Sequence, residues 1–418
     1  MYLKNFIFTV GVLITASSCF KKPLSATASP LSVNQHQVMY DIAPGDSGLR
    51  AVNGIVKLNG RVYSGIGVNY FNAFYRTILN NNDTSYIAGL DYLSSHNIPF
   101  IRFASNGFWP KEWNLYLQDS VKYFTLLDKF VKAAEKRHIG LIPSLFFNDM
   151  TVCDKVSEHR NQWGNLNSQT IAMMRRYTAS MVARYKNSPA IWGWEFGNEM
   201  NAYVDLHDMA GSYLPHVNVP GETPPMSART LDDAIRTTTL DTAYREFARV
   251  IHLLDTVHMV FTGNAMPEWN MWHRHAVAHP NEWGKDNETD FGNILDAQNP
   301  AAIGSITVHF YYDGTHENRF TTNEDTLIQT AMLKSIALKR PLFVGEFGAK
   351  LSYGALTQPR YEAELNAIVK HQVPLSALWV YDFSAQDTTF NVTQNNTLSY
   401  QLQKIIDANT QLKAQLGY

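Results

Sequence analysis

Eight apolar, β-rich runs punctuate this chain, and helix-patterned stretches lie between them. The runs are SGIGVNY (64–70), IPFIRFA (98–104), IGLIPSLFF (139–147), IWGWEF (191–196), MVFTGN (259–264), SITVHFYY (305–312), PLFVGEF (341–347) and LSALWVYDF (375–383). The intervening segments include VKYFTLLDKFVKAAEKR (121–137), AYREFARVIHLLDT (243–256) and YEAELNAIVKHQ (361–372), and SYQLQKIIDANTQL (399–412) closes the series. Near-continuous apolar strands alternating with helices describe a parallel sheet covered on both faces. The expected fold is therefore α/β, a single (β/α)8 TIM barrel, with the open doubly wound sheet as the alternative. No strand runs into a phosphate-binding glycine turn, and Gly65-Ile66-Gly67 lies inside a strand, which disfavours the open sheet. Ahead of the barrel, Ile55 to Val62 with Asn59-Gly60 at its centre predicts a short N-terminal hairpin.

The first residues carry a different message. Lys4, an apolar run from Phe6 to Ala16, and Ser17-Ser18 before Cys19 have the layout of a secretory leader. Small residues before a cysteine resemble a lipoprotein processing site, although Ala16 stands where such sites prefer Leu. This predicts export to the bacterial cell envelope with a lipid anchor on Cys19, or plain secretion, and no other membrane contact. Residues 20–45 are rich in Ser, Ala and Pro and read as a tether, leaving 46–418 for the catalytic domain. With Cys19 lipidated only Cys153 remains, so no internal disulfide forms. A formal net charge of -2 excludes nucleic acid as the main partner.

Chemistry in such a barrel belongs to the C-terminal strand tips. Those tips carry Arg102, the pair Asn198-Glu199, His309, Tyr311, Glu346 and Trp379. Any one of them alone would be a loop polar group. Glu199 and Glu346, however, stand on non-adjacent strands that open on the same side and so face each other across the mouth. Two facing carboxylates fit glycoside hydrolysis, one protonating the leaving oxygen and the other attacking the anomeric carbon. Arg102 and Tyr311 are placed to keep Glu346 ionised, and Asn198 to bind a sugar hydroxyl. Glu195, four residues before Glu199, points to the same strand face and reads as a structural carboxylate paired to an arginine or to backbone.

Asn-Glu after the fourth strand, His309-x-Tyr311 on the sixth, Gly345-Glu-Phe-Gly348 on the seventh and Trp379 on the eighth resemble glycoside hydrolase family 5, the cellulase and mannanase type of clan A. The resemblance extends from about residue 50 to the end. It implies Glu199 as acid/base, Glu346 as nucleophile and retention by double displacement. Arg102, Asn198, His309, Tyr311 and Trp379 become supporting or substrate-binding positions, with no metal and no organic cofactor; a monomer is the expected state. The WEFGNE stretch is similar to the mannanase branch, which makes β-1,4-mannan the expected backbone slightly ahead of glucan. Many members have a histidine after the third strand, where this chain has Phe146-Phe147-Asn148-Asp149.

Six tryptophans outside the strands, Trp109, Trp113, Trp163, Trp269, Trp272 and Trp283, predict an aromatic cleft with several sugar subsites, and so endo action on a polysaccharide or oligosaccharide. Trp109 and Trp272 are the substrate-binding candidates among them. Two alternatives stand. WHRHAVAH brings His273, His275 and His279 together, which reads in the alternative as a metal-dependent barrel hydrolase. A glycan-binding lipoprotein without catalysis would keep the aromatic cleft but need neither glutamate.

Overall fold

The structure is a computed structural model, and it describes residues 48–108, 112–205, 230–275, 284–311 and 323–417. Cys19, the 20–45 tether, Trp109, His279 and Trp283 lie outside the described residues. All described residues belong to one compact unit.

That unit opens on three short antiparallel strands, β1 (Leu49–Val52), β2 (Ile55–Leu58) and β3 (Arg61–Val62). The expected hairpin is thus the second half of a three-stranded sheet. Two Asn-Gly turns make it: Asn53 and Gly54 have φ of 52° and 81°, and Asn59 and Gly60 have 51° and 82°. Both central residues at positive φ give the tight turn whose twist suits a hairpin. Leu49 and Val56 pack with Tyr63, Phe100, Ile142, Trp192, Phe261 and Phe343, so the small sheet closes the N-terminal end of the barrel.

Eight parallel strands follow: β4 (Gly65–Asn69), β5 (Phe100–Ala104), β6 (Gly140–Phe146), β7 (Gly193–Gly197), β8 (Met259–Phe261), β9 (Ile306–Phe310), β10 (Leu342–Phe347) and β11 (Leu375–Leu378). The ladder runs β8-β7-β6-β5-β4-β11-β10-β9, a nearly closed barrel with helices interleaved. Helices begin where the sequence supplies caps. Asp119 Oδ1 accepts from Lys122 N at 2.9 Å ahead of Ser120–Glu135, and Ser168 Oγ from Ile171 N at 3.0 Å ahead of Gln169–Tyr185.

The seam between β8 and β9 is held by side chains. Ser305 Oγ donates to Val260 O. Asn299 Oδ1 accepts from Thr262 Oγ1 at 2.7 Å and from Thr307 N at 3.0 Å, and its amide reaches Leu295 O at 2.9 Å. One buried amide thereby takes the place of ladder bonds between a three-residue strand and its neighbour.

Candidate active site

The strand tips converge on one guanidinium. Arg102, near the end of β5 and 1% exposed, directs Nε–H to both oxygens of Glu195 at 2.8 and 2.9 Å. Its Nη1 donates to Asn69 Oδ1 and to Glu346 Oε1, each at 2.8 Å, and Nη2 donates to Asn198 Oδ1 at 2.7 Å. Each of its three nitrogens is therefore hydrogen-bonded inside the protein, and Arg102 orders the site from below. Asn69 relays the same order, donating to Gly345 O at 2.9 Å. Asn69 is the polar residue that closes an otherwise apolar first strand, and that position was the signal for it in the sequence.

The Asn198-Glu199 dipeptide is pinned by its backbone. Asn198 N donates to Phe147 O at 3.1 Å and Glu199 N to Gly263 O at 2.8 Å. Glu199 takes a left-handed φ of 53°, an uncommon conformation for a non-glycine residue that the flanking strand tips enforce. Gly263 is required here, because at φ +76° a Cβ would stand 1.9 Å from Gly197 O and 3.0 Å from Glu195 Cδ.

Opposite, β10 carries a register shift between Val344 and Glu346 against β9, leaving Gly345 as the extra residue and pairing Glu346 with His309. A bulge of this kind re-aims the next side chain. Glu346 receives Arg102 on Oε1 and the Tyr311 hydroxyl on Oε2. The Glu346 side chain is 5% exposed and the Glu199 side chain 36%, so Glu199 is the one that opens to the cleft. One oxygen of each and His309 Nδ1 lie within 4.8 Å of one another.

Electrostatics separate the two carboxyls. Removal from water raises both above the ordinary glutamate value. At Glu346 the His309 ring, then the Arg102 charge and the donated Tyr311 hydroxyl, oppose that rise while the Glu199 carboxylate adds to it, whereas at Glu199 the Arg102 charge opposes it. His309 is fully buried, and burial pushes its pKa down to about 3, so the ring is neutral. Nε2 meets no hydrogen-bond partner among the described residues, which assigns the proton to Nδ1, 2.9 Å from Glu199 Oε1. Burial, then the neighbouring carboxylates, hold the Tyr311 phenol well above its usual range, so it remains a donor.

The model of the cellulase family, glycosyl hydrolase family 5, matches residues 66–384. The chain belongs to glycoside hydrolase family 5. No curated protein matches it. Solved structures of the same fold include the endo-1,4-β-mannanase from Rhizomucor miehei, at 16% identity and TM-score 0.59 over 88% of this chain and 99% of that one. The endo-β-1,4-mannanase from Thermotoga petrophila aligns at 12% identity and TM-score 0.58, covering 85% and 78%. An exo-β-1,4-mannosidase from Opitutaceae bacterium strain TAV5 aligns at 14% and 0.55, covering 88% and 62%.

Within this family 5 barrel the tryptophans divide. Trp113 and Trp163 are fully buried, their indoles donating to Thr151 Oγ1 at 3.0 Å and to Asp149 O at 3.2 Å. They are core residues, a correction to the expected aromatic cleft: each sits in a helical turn folded back onto β6, packed on Phe146. Trp269 and Trp272 are half-buried, and Trp272 lies 5.9 Å from the His275 ring. Trp379 follows β11 at the mouth, oriented by Nε1 donating to Gln386 Oε1 at 2.9 Å.

Where many members have histidine, Phe147 spreads beneath Arg102, its ring centroid 5.7 Å from the guanidinium carbon. It joins Phe71, Phe108, Trp379, Phe383 and Phe390 in an aromatic cluster along the β11-β4-β5-β6 side. Glu199, His309, Tyr311 and Glu346 stand on the β7-β9-β10 side. Of the histidines in 272–279, the two described ones turn to different carboxylates. His273 Nδ1 meets Asp286 at 2.6 Å and His275 Nδ1 lies 3.6 Å from Asp205. Asp286 and Asp290, which approach His273, also hold backbone N–H groups of Trp272 at 2.8 Å and Asn287 at 3.1 Å.

Proposed function

We propose that this family 5 glycoside hydrolase is a retaining enzyme acting on β-1,4-mannan-type chains. The observation that carries the mechanism is the unequal pair. Glu346 is clamped by Arg102 and Tyr311, Glu199 is open to the cleft with a neutral histidine behind it, and their nearest oxygens stand within 4.8 Å. Retaining glycosidases hold their carboxyls roughly 5–5.5 Å apart, and inverting ones ~6.5–9.5 Å to admit a water. In the first step Glu346 attacks the anomeric carbon while Glu199 gives its proton to the departing oxygen. In the second, Glu199 takes a proton from water, which attacks the glycosyl-enzyme and restores Glu346 with the original configuration.

Mannan is preferred over glucan because the WEFGNE strand resembles the mannanase branch and because the structural neighbours named above carry mannanase or mannosidase names. Endo action is the first reading, supported by the half-buried Trp269 and Trp272 beside the cleft loops. Exo action on short oligosaccharides is the second, favoured by the burial of Trp113 and Trp163, which removes two expected subsite platforms.

The deciding experiment is reducing-sugar release from mannan, galactomannan, glucomannan, carboxymethylcellulose, mixed-linkage glucan and xylan by wild type and Glu346→Ala. Release by wild type alone names the backbone, and the product lengths separate endo from exo. No release from any polymer or mannooligosaccharide would return weight to a glycan-binding protein. Export with lipid on Cys19 is proposed from the leader alone, and fatty-acid labelling lost in Cys19→Ala tests it.

A further inference from the structure

Arg102 serves two carboxylates at once, and the second has no place in the double displacement. Glu195 is fully buried on β7, below Glu199, and takes the Arg102 Nε–H on both oxygens, while Glu346 takes one Nη1 bond. Gly263 lets the backbone close over it, so water does not screen the pair. A buried carboxylate costs several kcal/mol to desolvate, and a neutral amide could accept the same Nε–H at far lower cost. A purely structural post would not need the charge.

Counting charges gives the charge a use. One guanidinium facing only Glu346 would form a buried one-to-one ion pair, and attack on the sugar would have to pull that pair apart. Burial raises the Glu195 carboxyl and the charge and hydrogen bonds of Arg102 oppose that rise; with Glu195 ionised, one positive charge is divided between two negative ones, and the cluster keeps a net negative charge. The remaining groups that face Glu346 are Glu199 from the tip of β7, and His309 and Tyr311 from β9 and its end, the last two neutral. Glu195 is thus the group that offsets Arg102.

We propose that Glu195 is a positioning residue that shares the Arg102 charge with Glu346, so that the guanidinium holds the nucleophile in place without neutralising it. This rests on Glu346 being the nucleophile. The two roles open to Glu195 move the acid limb of kcat/KM in opposite directions. If it only braces Arg102, its loss frees the guanidinium, Glu346 loses a cation partner, and the limb rises. If it shares the charge, Glu195→Gln leaves Arg102 in place with its whole charge on Glu346, and the limb falls.

The experiment is the pH dependence of kcat and kcat/KM for wild type, Glu195→Gln and Glu195→Asp on the polymer the wild type cleaves best. Active-site labelling with a 2-deoxy-2-fluoroglycosyl fluoride and peptide mapping run alongside. The Gln variant is expected to show an acid limb about one unit lower, as loss of one nearby negative charge produces. Its plateau kcat should drop ~10-fold or more because a less basic carboxylate attacks more slowly. KM should change little. The Asp variant, whose carboxylate is withdrawn by one methylene, should shift in the same direction by less, and it carries the test if the Gln variant does not fold. An acid limb that stays put or rises overturns charge sharing while a label on Glu346 leaves the nucleophile assignment intact. A label on another residue overturns both.

Discussion

His309 donates Nδ1–H to Glu199 Oε1 across 2.9 Å, and the ring is neutral because it is fully buried. Since its pKa lies at about 3, His309 itself contributes no limb to the pH profile above that value. The bell comes from the carboxyl pair, rising as Glu346 loses its proton and falling as Glu199 loses its own. Replacing His309 by Ala removes a donor to ionised Glu199, so the basic limb moves up. We expect kcat to fall ~100-fold, the lower end of general-acid effects, with the limb read from kcat/KM against pH.

Tyr311→Phe removes the hydroxyl from Glu346 Oε2 and keeps the ring against Phe390. A donor to the ionised form lowers a carboxyl pKa, so its loss raises that of Glu346 and shifts the acid limb to higher pH. The direction is opposite to that expected for Glu195→Gln. Parallel pH profiles of the two variants would expose an error in either assignment.

Gly345→Ala tests the packing behind the dyad. A Cβ there would stand 2.8 Å from His309 Nε2 and 3.0 Å from Cδ2, so the ring must move off Glu199. Overpacking of this kind costs about 1–3 kcal/mol. Activity should fall further than that stability loss alone would cause, measured as kcat at a temperature where urea titration shows the variant fully folded.

Asn299→Ala should destabilise the barrel without touching the site. It strips partners from Thr262 Oγ1 and Thr307 N at the β8–β9 seam and opens a cavity. A loss of roughly 2–4 kcal/mol is expected from buried groups left unpaired, read as a lower urea midpoint. A midpoint equal to that of the wild type would mean the seam is closed by something else.

Chelation provides the check on the histidine loop. His273 and Asp286 already hold each other, and Asp286 and Asp290 hold backbone N–H groups. Exhaustive EDTA treatment is expected to leave the hydrolytic rate and the melting temperature unchanged. A chelator-sensitive rate would shift the mechanism away from the two glutamates.

Much of this protein could be read in order along the chain. Strand runs, the Asn59-Gly60 turn and polar residues at strand ends are local signals, carried by a few neighbouring side chains and by the period of the backbone. Knowing that the strands are parallel, a reader of the sequence can already put Glu199, His309, Tyr311, Glu346 and Arg102 at one end of the barrel.

The tertiary structure decided which of those residues touch. Arg102 meets Glu195, Glu346, Asn69 and Asn198 because barrel closure brings β4, β5, β7 and β10 around one axis, and no local pattern encodes that distance. Trp113 and Trp163 turned inward because their helical turns pack on Phe146, although loop position made them cleft candidates. The bulge at Gly345 aims Glu346, and the Phe147 ring lies under Arg102. Strand tips follow from periodicity, which is a property of the chain. The charge and contacts of each tip follow from neighbours far away in sequence, and only the closed barrel supplies them.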